Sequence, residues 1–101
     1  MFEVEWSNLV TVTVKFFATV REALGTRSVQ VDASTVREVL DRLIERFGKD
    51  FSETVIDQET GDLKRFFSCM VNGRRIELLD RYDTKLKEGD SMALFPPVGG
   101  G

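Results

Sequence analysis

The sequence predicts an α+β domain, with one mixed sheet and a single main helix packed across one of its faces. Three observations predict it. Val10, Val12, Val14 and Phe16 alternate with Thr11, Thr13, Lys15 and Phe17, the period of a half-buried strand. From Val36 the period changes: Val36, Val39, Leu40, Leu43, Ile44 and Phe47 fall on one apolar stripe of a helix. Beyond the helix, strand-length apolar segments return around Asn72-Gly73, the strongest two-residue hairpin signal.

The elements follow in order. After the first strand, residues 18–25 read as a short helical turn closed by Gly25, and Ser28-Val29-Gln30-Val31 resumes the alternation. This makes an antiparallel first hairpin with a wide loop. The helix has marked ends. Thr35-Val36-Arg37-Glu38 fits a capping box, in which the Thr35 hydroxyl and the Glu38 carboxylate take backbone N–H groups that the first turn leaves unpaired. Gly48 stands where a left-handed residue would stop it. Arg37, Asp41, Arg42, Glu45 and Arg46 on the opposite side read as a solvated face. Residues 51–56 suggest a second short helix and residues 57–62 a turn, with Asp57, Glu59 and Asp62 as solvated carboxylates. Phe66 to Val71 is a strand with Cys69 as a buried filler, Arg74 to Leu78 its hairpin partner, and Lys87-Glu88-Gly89-Asp90 a turn before the last strand, Ser91 to Phe95. A helix between hairpins, with the last strand returning as the parallel neighbour of the first, is the β-grasp arrangement.

Composition bounds the function. The 101 residues fit one domain, and 14 basic against 17 acidic side chains give a net charge of 14 − 17 = −3. The chain divides into an extension at 1–9 of unassigned role, a β-grasp domain at 10–95 and an extended Gly-rich tail at 96–101. With no histidine, the usual general base and the commonest metal ligand are missing, as is every Ser-His or Cys-His nucleophile. One cysteine cannot build an internal disulfide or a multi-cysteine zinc site, which points to an intracellular, cytoplasmic protein. The start of the chain carries two acids and no basic residue before Lys15, unlike a signal peptide, and no apolar run reaches the roughly 20 residues a membrane span needs. An acidic balance gives no electrostatic reason to bind nucleic acid, and Arg74-Arg75 is too small a basic cluster to change that. The expectation is a non-enzyme with no metal, no bound cofactor, and neither nucleic acid nor membrane as partner.

What remains is the tail. No charged side chain occurs after Asp90, and the chain ends Phe95-Pro96-Pro97-Val98-Gly99-Gly100-Gly101. Pro96 and Pro97 lack amide N–H groups and hold φ near −65°, so they stop the strand and send the chain out extended. At ~3.3–3.6 Å per residue, the tail from Pro96 reaches on the order of 20 Å. Without Cβ atoms, Gly99, Gly100 and Gly101 can thread a narrow channel and deliver one carboxylate to a remote site. A frayed, inert terminus is the alternative. A second feature favours delivery: Phe17 and Phe95 fall on the face of their adjacent strands opposite the inward set, beside the start of the tail, and form a docking patch unless the loop at 18–25 covers them.

Val14-Lys15-Phe16-Phe17-Ala18-Thr19-Val20-Arg21-Glu22-Ala23-Leu24-Gly25, Leu86-Lys87-Glu88-Gly89-Asp90 and the ending from Ala93 to Gly101 together resemble the MoaD/ThiS family of ubiquitin-like sulfur carriers, most of all the small subunit of molybdopterin synthase. The resemblance implies that a ubiquitin-activating-type adenylyltransferase uses ATP to adenylate the Gly101 carboxylate. A persulfide sulfur donor then converts it to a thiocarboxylate, which the large subunit of molybdopterin synthase consumes. It implies Gly100 and Gly101 as the functional pair, Phe17 and Phe95 as partner contacts, and a partner role for Arg21, for which a surface salt bridge with Glu22 is the alternative. The residue before the Gly pair, often Ala, Ser or Thr in relatives, is Gly99, the segment 48–64 is longer than in the shortest relatives, and residues 1–8 lie outside the resemblance. Three other outcomes share the same features: sulfur delivery to thiazole, tRNA or cysteine, a ubiquitin-like modifier joined to lysines, or an inert β-grasp binding module.

Overall fold

The first strand, β1 (Val10–Phe16), buries Val12, Val14 and Phe16 and turns Thr11, Thr13 and Lys15 to the other side, as a period of two requires. It pairs antiparallel with β2 (Ser28–Ala33), Val12 lying opposite Val31 and Lys15 opposite Ser28. The computed structural model describes residues 9–97. Between the two strands, α1 (Ala18–Leu24) ends at Gly25, whose φ of 72° and ψ of 17° are the left-handed cap anticipated there.

The main helix, α2 (Val36–Phe47), presents Val36, Val39, Leu40 and Leu43 to the sheet. Its N-terminus departs from the anticipated reciprocal box. The Glu38 N–H does donate to the Thr35 hydroxyl at 3.2 Å, but the Glu38 carboxylate accepts from the N–H and hydroxyl of Ser34, both at 2.8 Å, rather than from the N–H of Thr35. These two bonds hold the Glu38 carboxyl below its ordinary pKa. Gly48 has the positive φ expected of it, 60°, but its ψ of −134° lies outside the left-handed well. The reason is that a second helix follows at once: α3 (Lys49–Val55) starts from the Gly48 carbonyl, which accepts from Ser52, while the Gly48 N–H still closes α2 on Ile44.

The solvated face assigned to α2 is only partly solvated. Arg37 pairs with Asp62 at 2.5 Å, donates to the Gly61 carbonyl at 3.1 Å and sits 4.4 Å over the Tyr82 ring, fastening the turn at 57–62. Asp62 is therefore an ion-pair partner rather than a free carboxylate. Arg42 and Arg46 donate to the carbonyls of Asp32 and Gln30 on the outer edge of β2.

The third strand, β3 (Ser68–Val71), begins two residues later than the apolar run suggested. Ser68 lies opposite Phe95 of β5 (Ser91–Phe95), so any earlier residue would face Pro96, which has no N–H to donate. Phe66 instead takes a φ of 70° and stands 73% exposed. The Asn72-Gly73 turn has positive φ at both residues, 52° and 82°, the geometry its sequence demands. Its return strand, β4, is only Arg74–Arg75, not Arg74 to Leu78. Ile76 and Leu79 are the inward residues there; that spacing of three favours the observed 3-10 turn at Ile76–Leu78 over a strand and leaves Leu78 71% exposed.

The strands form one sheet in the order β2-β1-β5-β3-β4, with β1 and β5 parallel and the other pairs antiparallel. Met92 and Leu94 of β5 join Val12, Val14 and Phe16 beneath the helices. Cys69 is buried in the same layer, as its strand position predicted. This is the β-grasp arrangement read from the element order.

Candidate functional site

The end of β5 sets the site. Asp90 prepares it from the other end of the strand: its carboxylate accepts from the Lys87 N–H at 2.8 Å and from the Asn72 side-chain amide at 2.9 Å, while the Asn72 oxygen receives the Ser91 N–H. Gly89 closes this turn at a φ of 85°, which any side chain would strain. The start of β5 is thus tied to β3, and the register Thr13 to Ser91, Phe16 to Leu94 ties its length to β1.

Two residues of opposite parity to the core emerge together at the far end. Phe17, at the N-cap of α1 in extended conformation, and Phe95, the last residue of β5, stack with ring centroids 4.5 Å apart and planes 13° from parallel. Both are half-exposed, so α1 lies beside the pair without covering it. Pro96 follows Phe95 directly and is half-exposed, and Pro97 is exposed. The remaining tail residues, Val98, Gly99, Gly100 and Gly101, and residues 1–8 of the extension lie outside the described residues.

Arg21, on the exposed side of α1, lines a shallow concavity beside Phe17. Among the described residues it forms no ion pair with Glu22 or any other acid. The same concavity is lined by Lys15 and Arg27, neither of which was singled out from the sequence. Their signals were legible in principle: Lys15 shares the parity of Phe17, and Arg27 precedes β2 where the hairpin returns, its carbonyl accepting the Phe16 N–H at 2.8 Å. Met70, opposite Ala93, adds an apolar side chain to this open face.

The domain's one thiol lies away from the site. Cys69 lies opposite Leu94 on the helix-covered side, and burial, with a smaller contribution from Glu77, pushes its thiol up to about 12, so at neutral pH it is a protonated filler. Among the described residues no group of His, Cys, Asp or Glu side chains is arranged to hold a metal ion, and no helix is long and apolar enough to cross a membrane. What the arrangement offers is a rigid aromatic shelf, flanked by cations, at the root of a proline-stiffened exit.

Known proteins share this architecture. The ThiS family pattern matches residues 14–101. Small archaeal modifier protein 3 of Haloferax volcanii is 37% identical over 91 residues, covering 87% of this chain and 96% of that protein. The solution structure of small archaeal modifier protein 1 from Methanosarcina acetivorans superposes with a TM-score of 0.83 at 28% identity, covering 92% of this chain and 98% of that one. A chain in the crystal structure of the Amycolatopsis orientalis BexX/CysO complex superposes with a TM-score of 0.73 at 28% identity, covering 89% and 99%. With the family pattern spanning residues 14–101, the chain belongs to the ThiS/MoaD family of ubiquitin-like sulfur carriers and modifiers.

Proposed function

We propose that this protein is a sulfur carrier whose Gly101 carboxylate is adenylated and then converted to a thiocarboxylate, donating sulfur for molybdopterin biosynthesis. The observation that carries the reading is the Phe17–Phe95 stack at the point where β5 hands the chain to Pro96 and Pro97. A half-exposed aromatic pair at that place gives a partner something to grip while the tail reaches into its active site. Gly99 and Gly100 supply a backbone thin enough to be enclosed. The domain is the carrier and co-substrate; the chemistry belongs to its partners in the cytoplasm.

Each step balances with groups those partners bring. The Gly101 carboxylate oxygen attacks the α-phosphorus of ATP, releasing pyrophosphate and leaving an acyl adenylate whose carbonyl carries a good leaving group. The terminal sulfur of a persulfide on the donor attacks that carbonyl and expels AMP, forming an acyl disulfide; a thiol then reduces this to the thiocarboxylate. Phe17, Phe95 and Arg21 would hold the adenylating enzyme and, later, the large synthase subunit. No cofactor is bound by the carrier.

A second reading, protein modification, is favoured by the 37% relative named as a modifier. The same acyl adenylate would be captured by a lysine amine as an isopeptide. Incubation with the cognate adenylating enzyme, ATP and a persulfide donor, followed by intact-mass analysis, separates the two. Replacement of one carboxyl oxygen by sulfur supports the carrier; lysines of cellular proteins bearing the Glu88–Gly101 peptide, which trypsin leaves by cutting after Lys87, support the modifier. Deleting Gly100 and Gly101 should abolish both, and a truncated chain that still gained sulfur at its terminus would sink the mechanism.

A further inference from the structure

The open face of the sheet is electrically polarised along β1. At the end where β1 begins, acids gather: Asp32 accepts the Thr11 hydroxyl at 2.9 Å, Glu88 accepts the Thr11 N–H at 3.0 Å, and Asp90 accepts the backbone N–H of Lys87 and the side-chain amide of Asn72. At the opposite end, where the tail departs, Lys15, Arg21 and Arg27 line one concavity together with Phe17 and Ser28. All three cations are exposed, and among the described residues none of them forms an ion pair and no acidic side chain lines the concavity. Glu22, next to Arg21, is exposed outside it.

Three like charges around one hollow repel one another, and among the described residues no ion pair relieves them. In a protein of net charge −3, this is a local reversal of sign beside the aromatic stack. We infer that the Lys15–Arg21–Arg27 concavity receives an acidic segment, rich in Asp or Glu, of the protein that activates the tail. The inference rests on the activation reading above and sharpens it by naming the chemistry of the partner's surface. Opposite potentials steer encounter and fix orientation more than they add affinity, so the polarised face turns the tail end, and not the acidic end, toward the partner.

Two measurements on the full-length chain test it. In the first, hexaglutamate is titrated into the protein while backbone amide resonances are followed. Shifts centred on residues 15, 21 and 27 that vanish in the Lys15→Gln/Arg27→Gln variant support the inference, and no shift there at low salt overturns it. In the second, association with the cognate adenylating enzyme is timed at several salt concentrations. The double variant should associate ~10-fold more slowly at 50 mM salt, a gap that screening closes to within ~2-fold at 0.5 M, and the loss should appear in KM for the carrier. Equal rates and equal salt slopes for the two proteins overturn the inference, as does a changed KM for ATP, which would assign the cations to nucleotide phosphate. A concentration-dependent dimer abolished by the same substitutions would place a second copy's acidic end there and overturn it as well. Failure of the wild-type chain to be adenylated at any salt counts against the activation reading instead, and the hexaglutamate titration then decides the fate of the concavity alone.

Discussion

The two faces of the sheet are built to different specifications. Beneath the helices, Val12, Val14, Phe16, Met92 and Leu94 are buried against Val39, Leu40 and Leu43, and Phe16 meets Phe47 edge-on at 6.0 Å. On the other face the same two strands carry Thr11, Thr13, Lys15, Ser91 and Ala93, and place aromatic rings only at the end where the tail leaves. Folding free energy is concentrated on one face because apolar burial scales with area removed from water. The second face contributes little to that total, so it can be shaped for a partner without endangering the fold.

Substitutions can break this division. The largest effect is expected for Leu43→Ala, which leaves a cavity in the fully buried layer and should cost about 2–5 kcal/mol in denaturant unfolding. Next is Phe95→Asp on the open face. Partner affinity should fall ~30-fold or more, as for a central aromatic contact, with thermal stability changed far less than by Leu43→Ala. Unchanged affinity would remove the stack from the docking surface. Arg37→Ala should cost about 1 kcal/mol, since its ion pair is partly solvated and its cation–π contact is modest. Hydrogen exchange should speed up chiefly at residues 57–63, while Phe95-dependent binding stays as it was.

The smallest effect concerns pH. The Glu38 carboxyl is held below its ordinary value of 4.5 by the Ser34 N–H and hydroxyl. Its contribution is therefore present above the unfolded-state pKa and is lost as pH falls through the lower folded-state value. The gap in thermal midpoint between wild type and Glu38→Gln should be widest near neutrality and shrink once the pH drops below about 4.5, the unfolded-state value. A gap that does not change with pH would mean that the carboxylate's charge is irrelevant to the cap.

Much of this was legible in the residues because the relevant forces are local. Strand β1, helix α2 and the Asn72-Gly73 turn announce themselves through period and turn chemistry, and Phe17 and Phe95 through parity alone. The misplaced boundaries have a shared cause. Where β3 begins depends on Pro96 in another strand, and where β4 ends depends on Ile76 finding the core, so neither is a property of its own segment. The solvated reading of Arg37 and Asp62 failed in the same way, for the two residues meet only after 24 intervening residues fold back on α2.

By itself the sequence determined the class of fold, the helix-facing residues and the uncharged exit from Phe95 onward, because period, parity and proline act within a few residues of themselves. Tertiary structure alone decided that Phe17 stacks on Phe95 and that Lys15, Arg21 and Arg27 share one hollow that no acid among the described residues lines. Those outcomes depend on the parallel register of β1 with β5 and on where α1 folds back. Pairing between distant segments is set by the packing of the whole domain, and no local rule carries that information.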